Sequence, residues 1–155
     1  MSRDGAQQLL VFRTGRELFG LELSGVHEVV DAPVLSRVPE MPPTVLGVVS
    51  VRGELITVYD PTPLLTPAGA SGLTGAALLF THGDRRIALA VDDVMDAVSI
   101  DDGMLRGTNG VDARDRLVRG IVRRGSDLIV VLDVEVLVES AAAQATVGGG
   151  GGGRP

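Results

Sequence analysis

The chain has 155 residues, a formal net charge of −6, no cysteine and no tryptophan, and all 14 of its cationic side chains are arginine. Without cysteine there is no disulfide scaffold, zinc ribbon, iron–sulfur cluster or thiol catalysis; without lysine there is no Schiff base and no phosphate-loop lysine. An acidic chain with 3% aromatic residues is poorly supplied for neutralising phosphates or stacking bases, while its 23 valines favour a pleated interior.

The length predicts one domain, large enough to bury a core without cross-links. Residues 1–8 read as a flexible N-terminus without the apolar core of a signal peptide, and no run approaches 18 apolar residues, so a cytoplasmic protein is expected. Residues 9–12 and 18–23 flank a polar, Gly-containing connection and predict a β-hairpin, with Phe19, Leu21 and Leu23 on one face. Val26, Val29 and Val30 recur at spacings of three and four, which predicts a short helical turn. Pro33, Pro39, Pro42 and Pro43 break the next stretch into a loop with at most an edge strand at Val34 and Leu35. Residues 45–51 and 55–59 form a second hairpin around Arg52, Gly53 and Glu54, ended by Asp60 and Pro61.

The second half repeats the first. A slide of 68 positions aligns Phe12 with Phe80, Gly15 with Gly83, Leu21 with Leu89, Val26 with Val94 and Val30 with Val98; a slide of 73 aligns Gly47 with Gly120, Ile56 with Ile129 and Asp60 with Asp133. Two barrel-forming repeats are therefore expected at 9–65 and 76–139, joined by a Gly/Ala/Ser/Thr linker at 66–75 and sharing a core, with strands free to cross between them. Residues 134–143 predict a short helix, and 140–155, with six consecutive glycines, a disordered tail.

Catalytic chemistry is thinly supplied. His27 and His82 lie in different halves outside any ligand spacing, and neither a nucleophile elbow nor a dinucleotide fingerprint is present. The run Asp92-Asp93-Val94-Met95-Asp96 does not fit a calcium loop and reads as the solvated face of a helical turn. Arg114, Arg116, Arg119, Arg123 and Arg124 cluster, but alternation along a strand separates Arg123 from Arg124. Arg52 stands out at the tip of an apolar hairpin, where the second repeat carries Gly125; a guanidinium there suits an interface anchor or an ordinary hairpin arginine.

Leu10-Val11-Phe12, Phe19-Gly20-Leu21, Val26-His27-Glu28-Val29, Pro42, Leu46-Gly47-Val48, Arg52-Gly53 and Ile56-Thr57-Val58-Tyr59-Asp60 follow one another in an order and spacing that resembles the CheW family of chemotaxis coupling proteins. Gly83, residues 87–92, Val94, 117–120 and 128–133 continue it, so the likeness spans 9–137. The resemblance implies a mainly β fold of two five-stranded SH3-like barrels around a shared apolar core, with short helical turns. It implies a non-enzymatic, cofactor-free adaptor that joins the cytoplasmic tip of a chemoreceptor to the regulatory domain of a CheA-type histidine kinase. Such a protein is a monomer when isolated and part of a larger array in the cell, touching the membrane only through receptors and binding no nucleic acid.

Carried over by position, the resemblance implies receptor or kinase contacts at Val26, Glu28, Gly47 and Arg52, a groove between the barrels with Val26, Val29, Val30 and Val98 as apolar anchors, and a second interface at Arg106. The family's usual Asn-Leu-Arg-Gly reads Ser50-Val51-Arg52-Gly53 here, which puts the loop's hydrogen bonds, and so the partner, in question. A different barrel module that binds a ligand or nucleic acid is the alternative; it requires a closed polar pocket or salt-steep binding.

Overall fold

Residues 9–12 and 76–80 are apolar at successive positions, and a strand with two apolar faces must be covered on both. The computed structural model, which describes residues 7–66, 74–107 and 116–153 with the side chains of its last helix described to Ala143, covers them by interleaving the two halves of the chain. The first half contributes β1 (Gln7–Thr14), β2 (Glu17–Glu22), a 3-10 turn at Leu23–Gly25, β3 (Glu28–Asp31), β4 (Val45–Val51), β5 (Glu54–Tyr59) and the single-turn α1 (Thr62–Leu65). The second contributes β6 (Ala76–His82), β7 (Arg85–Val91), β8 (Asp93–Ile100), a 3-10 turn at Asp102–Met104, β9 (Leu105–Arg106), β10 (Val118–Arg124), β11 (Asp127–Leu132) and α2 (Val134–Gly153).

Neither sheet belongs to one half. The six-stranded sheet runs β8-β1-β2-β11-β10-β9 and the five-stranded sheet β3-β6-β7-β5-β4. Each leading hairpin is seated in the sheet that carries the other half's second hairpin, through one parallel pairing: β2 with β11 and β5 with β7. The registers obey the repeat. Val130 faces Phe19 where Thr57 faces Ile87, and Asp96 faces Val11 where Glu28 faces Leu79. The expected pair of five-strand units is thus present with strands crossed, and the sixth strand of the first sheet is the two-residue β9.

Alternation along the central strands then builds three apolar layers. Leu9 and Val11 point into the interior of the six-stranded sheet with Val98, Ile100, Val122, Ile129 and Val131. Ala77, Leu79, Ala88 and Ala90 point into the five-stranded sheet with Val49, Val51, Ile56 and Val58. Leu10, Phe12, Phe19, Leu21, Leu78, Phe80, Ile87 and Leu89 point the other way, into one cluster between the sheets that is closed by Leu65 of α1 and Leu137, Val138 and Ala141 of α2. Phe12 and Phe19 face each other across β1 and β2 with ring centroids 5.6 Å apart. Fully burying one such side chain contributes about 1.5–3 kcal/mol, so this shared layer is where the two sheets become one folding unit.

Two expected helical turns are strands. Val26, Val29 and Val30 have helical spacing, but β3 pairs with β6, sending Val29 to the shared core and Val30 into the five-stranded sheet. Adjacent valines facing two cores mimic a helix period while their branching at Cβ suits the strand. The acidic run does the same in β8. Asp92 is not solvated: it is 8% exposed, its Oδ2 accepts from the Gly15 amide at 2.9 Å and Arg13 Nη1 at 3.4 Å, and its own amide donates to the Arg13 carbonyl at 3.0 Å. This ties the first hairpin turn to the start of β8.

The boundaries shift slightly. Gln7 and Gln8, placed in the flexible N-terminus, pair with Ile100 and Ser99, while residues 1–6 lie outside the described residues. Most of the linker, 67–73, also lies outside them, and Gly75 is already bonded to the Val91 carbonyl at 2.9 Å. The helix expected at 134–143 starts at Val134 and runs to Gly153; Ala141 and Ala142 are buried, so the packed part reaches into the segment assigned to the tail, whose side chains from 144 on lie outside the described residues.

Leu78→Ala removes side-chain volume from the shared layer and is expected to cost about 2–5 kcal/mol in urea unfolding. Probes placed in the two sheets should report the same shifted midpoint, whereas separate midpoints would contradict a common core.

Candidate functional site

Residues Val51 and Glu54 are the last pair of the β4–β5 ladder, which leaves Arg52 and Gly53 as a two-residue turn. Both are left-handed, with φ of 49° and 85°. That is the type I′ geometry favoured in hairpins because its twist matches the strands, and it normally selects Asn or Gly. The equivalent Gly125 adopts φ 63° without strain. Arginine in this conformation carries a steric cost of roughly 1–2 kcal/mol, so Arg52 sits where its own repeat shows a glycine to be easier.

What Arg52 gains is a bidentate ion pair. Its Nη1 donates to Glu28 Oε2 at 3.0 Å and its Nη2 to Glu28 Oε1. The fork matches the carboxylate plane, and the arrangement fixes both side chains although Arg52 remains 64% exposed. The hydrogen bonds from Arg52 hold the Glu28 carboxyl below its usual range, and those to Glu28 raise the guanidinium. Glu28 opens β3 and Arg52 tips the β4–β5 hairpin, the two ends of the five-stranded order. The pair therefore clasps a sheet that has curled until its edges meet, with Val30, Leu35 and Leu46 packed on the enclosed cluster.

Gly47 secures the far end of β4. At φ 151° it lies in a bulge opposite β5, and a Cβ there would meet the Ser36 carbonyl oxygen at 2.5 Å; Ser36 and Val48 exchange hydrogen bonds of 2.9 Å. Gly120 repeats the device against the Arg106 carbonyl at 2.6 Å. Gly47 is thus a backbone-contact position with no side chain to offer a partner.

Five of the expected contact residues come together around one seam. Glu28, Val29 and Val30 lie on β3, Val26 just before it, and Arg52 closes over its start. Val98 does not join them. It faces Leu9 across β8 and β1, is 6% exposed and points into the six-stranded sheet, as its repeat partner Val30 points into the other. A residue that points inside one barrel is no anchor on the surface between two, which corrects the place of both Val98 and Val30 in the groove.

Arg106 is exposed on β9, the edge strand of the six-stranded sheet, beside Ile121. Alternation does separate Arg123 from Arg124, but it also puts Ile121 and Arg123 on one face with Arg106; Arg119 is the extra residue of the β10 bulge, half-buried with its Nη1 donating to Gln7 Oε1 at 3.4 Å, and Arg114 lies outside the described residues. That gathering depends on β9 pairing with β10, for which a two-residue strand leaves little sequence signal. Leu55 and Leu128, 71% and 51% exposed at equivalent hairpin positions, were not singled out by sequence either, since alternation alone does not say which face is covered. His27 is exposed, and among the described residues no group of three or more His, Asp or Glu side chains could hold a metal ion.

The lowered Glu28 carboxyl sets a pH window. A group whose folded value is depressed contributes stability above its unfolded value, and loses it as pH falls through the folded one, so the clasp holds at neutral pH and opens in acid. In Arg52→Gln the carboxyl NMR titration of Glu28 is expected to move up toward the ordinary glutamate range; an unmoved midpoint would contradict the clasp.

Comparison with known proteins agrees with this arrangement. Residues 8–142 match the CheW-like domain. Chemotaxis protein CheW of Treponema pallidum is 24% identical over 147 residues, covering 88% of this chain and 85% of its own length. Its namesake in Klebsiella aerogenes is 23% identical over 137 residues, with 86% and 82% covered. The crystal structure of scaffolding protein TtCheW from Thermoanaerobacter tengcongensis superposes with a TM-score of 0.69 at 26% identity, over 86% of this chain and 92% of that one. With two interleaved sheets, matched hairpins and the match running through nearly all the described residues, the chain belongs to the CheW family.

Proposed function

We propose that this chain is a non-enzymatic adaptor that couples the cytoplasmic tips of chemoreceptors to the regulatory domain of a CheA-type histidine kinase. That it is a chemotaxis scaffold follows from its family; the particular partners are the step taken here. The observation that carries the step is Arg52: a left-handed arginine held at a hairpin tip by Glu28, where the sister repeat uses glycine. Local strain kept at an exposed position points to a surface under functional demand. A guanidinium with one side paired and the rest in solvent is a preorganised anchor, because little further ordering is needed on binding.

Val26 and Val29, half-buried on the shared cluster beside the clasp, supply the apolar side of a surface suited to a helical receptor tip, with Glu28 and Arg52 as its polar rim. Arg106, with Arg123 on the same face, marks a separate surface for the contacts that build an array. Two surfaces at separate sites are what an adaptor requires. No helix among the described residues is long and apolar enough to cross a membrane, and the cytoplasm is the compartment where a receptor tip and a kinase would be met.

Isothermal titration against the regulatory domain of a CheA-type kinase from the same cell tests the reading. Arg52→Glu is expected to weaken binding roughly tenfold to a hundredfold, the scale of an interface anchor, with the fold intact. Equal affinity in a folded Arg52→Glu protein would remove Arg52 from the interface, and no binding by the parent chain would remove the kinase.

A further inference from the structure

Three strands of the five-stranded sheet begin with a charge at one mouth of its interior. β3, β5 and β7 run the same way, since β6 pairs antiparallel with both β3 and β7 while β7 pairs parallel with β5. Val30, Ile56 and Ala88 point into the enclosed cluster, and alternation puts Glu28, Glu54 and Arg86, each two positions nearer its strand start, on the same inward faces. The β4–β5 turn carries Arg52 at that same end. Arg52 forks onto Glu28, and Arg86 Nη1 donates to Glu54 Oε1 at 3.3 Å. The two pairs sense each other. Glu28 raises the Arg52 guanidinium most and the Glu54 charge adds to it; Arg52 lowers the Glu28 carboxyl most, and the charges of His27 and Arg86 add to that.

Arg52 therefore has two carboxylates to choose from. Glu54 follows it by two residues across a tight turn, whereas Glu28 is 24 residues away on another strand. Proximity alone favours Glu54, which would hold the guanidinium within its own hairpin and leave the sheet unclasped. Exposed ion pairs differ little in strength, so the partner is decided by which carboxylate is left free. The other sheet carries the hairpin acid without either guanidinium: Asp127 stands at the Glu54 position, Gly125 at that of Arg52, and Leu18, packed on the interior cluster, at that of Arg86. The acid is common to both repeats and the two arginines are absent together, which is the pattern expected if one arginine serves the other.

We propose that Arg86 is the positioning residue of the clasp: by holding Glu54 at the mouth of the sheet it denies Arg52 its local partner and directs the guanidinium across to Glu28. Arg86 acts through Arg52 and needs no contact with a partner protein. Its effect on binding rests on the reading of Arg52 as the kinase anchor, but the choice between the two carboxylates is a property of the free chain.

Crystal structures of the full chain carrying Arg86→Gln, and carrying Glu54→Gln together with Arg86→Gln, read that choice directly. In Arg86→Gln the Arg52 fork is expected on Glu54; in the double variant, where the competitor is gone, it is expected back on Glu28. A merely structural contact would not be repaired by the second change. Affinity for the regulatory domain of the kinase should follow, because an anchor held in its binding geometry for only a fraction of the time binds more weakly by that fraction: about fivefold weaker in Arg86→Gln, and restored in the double variant. An Arg52 fork still on Glu28 in Arg86→Gln, or one that stays off Glu28 in the double variant, would overturn the proposal. A fork that moves to Glu54 and returns as expected, with affinity unchanged throughout, upholds the selection by Arg86 and removes Arg52 from the kinase interface, so the two readings fail separately.

Discussion

The parallel pairings of β2 with β11 and β5 with β7 are the constraint on which the molecule depends. A hairpin alone offers one covered face at best, and two separate halves of this length would be marginal. By crossing, each half lends its most apolar hairpin to the other's sheet, and β1, β2, β6 and β7 become central strands covered on both faces. The cluster between the sheets, from Phe12 to Leu89, exists only because both exchanges occur together.

That exchange also fixes the functional surface. Glu28 belongs to a strand held by β6 of the second half, while Arg52 belongs to a hairpin held by β7, and they meet because β6 and β7 are one rigid hairpin between them. The clasp is therefore built on core strands rather than on a loop, which is how an exposed ion pair of small intrinsic worth becomes a fixed feature. The first sheet, with Asp96 and Gly125 in the same places, shows the scaffold does not need the clasp to close.

Much of this was legible in the sequence. Matched phenylalanines, glycines and aspartates at offsets of 68 and 73 disclosed two copies, and Arg52 against Gly125 disclosed a turn where they differ in chemistry. What misled was burial on two faces. Val26, Val29 and Val30 carry a helix-like period because β3 faces two cores at once, and Asp92 read as solvated because nothing local reveals that Gly15 and Arg13 come to meet it. Val98 passed for a groove residue for the same reason: its sequence position matches Val30, but which core a strand face meets is set by pairing partners 60 and more residues away. The gathering of Arg106 with Arg123 was illegible because it rests on two β9 residues pairing with a distant strand.

Native-state hydrogen exchange measures the central claim most directly, that the two sheets form one unit through exchanged hairpins. The slowest amides of β1 and β2 and those of β6 and β7 are expected to open with one common free energy, equal to that of global unfolding. If β6 and β7 exchanged through a distinctly cheaper opening while β1 and β2 stayed protected, the sheets would be separable and the shared core would not be what holds Glu28 and Arg52 together.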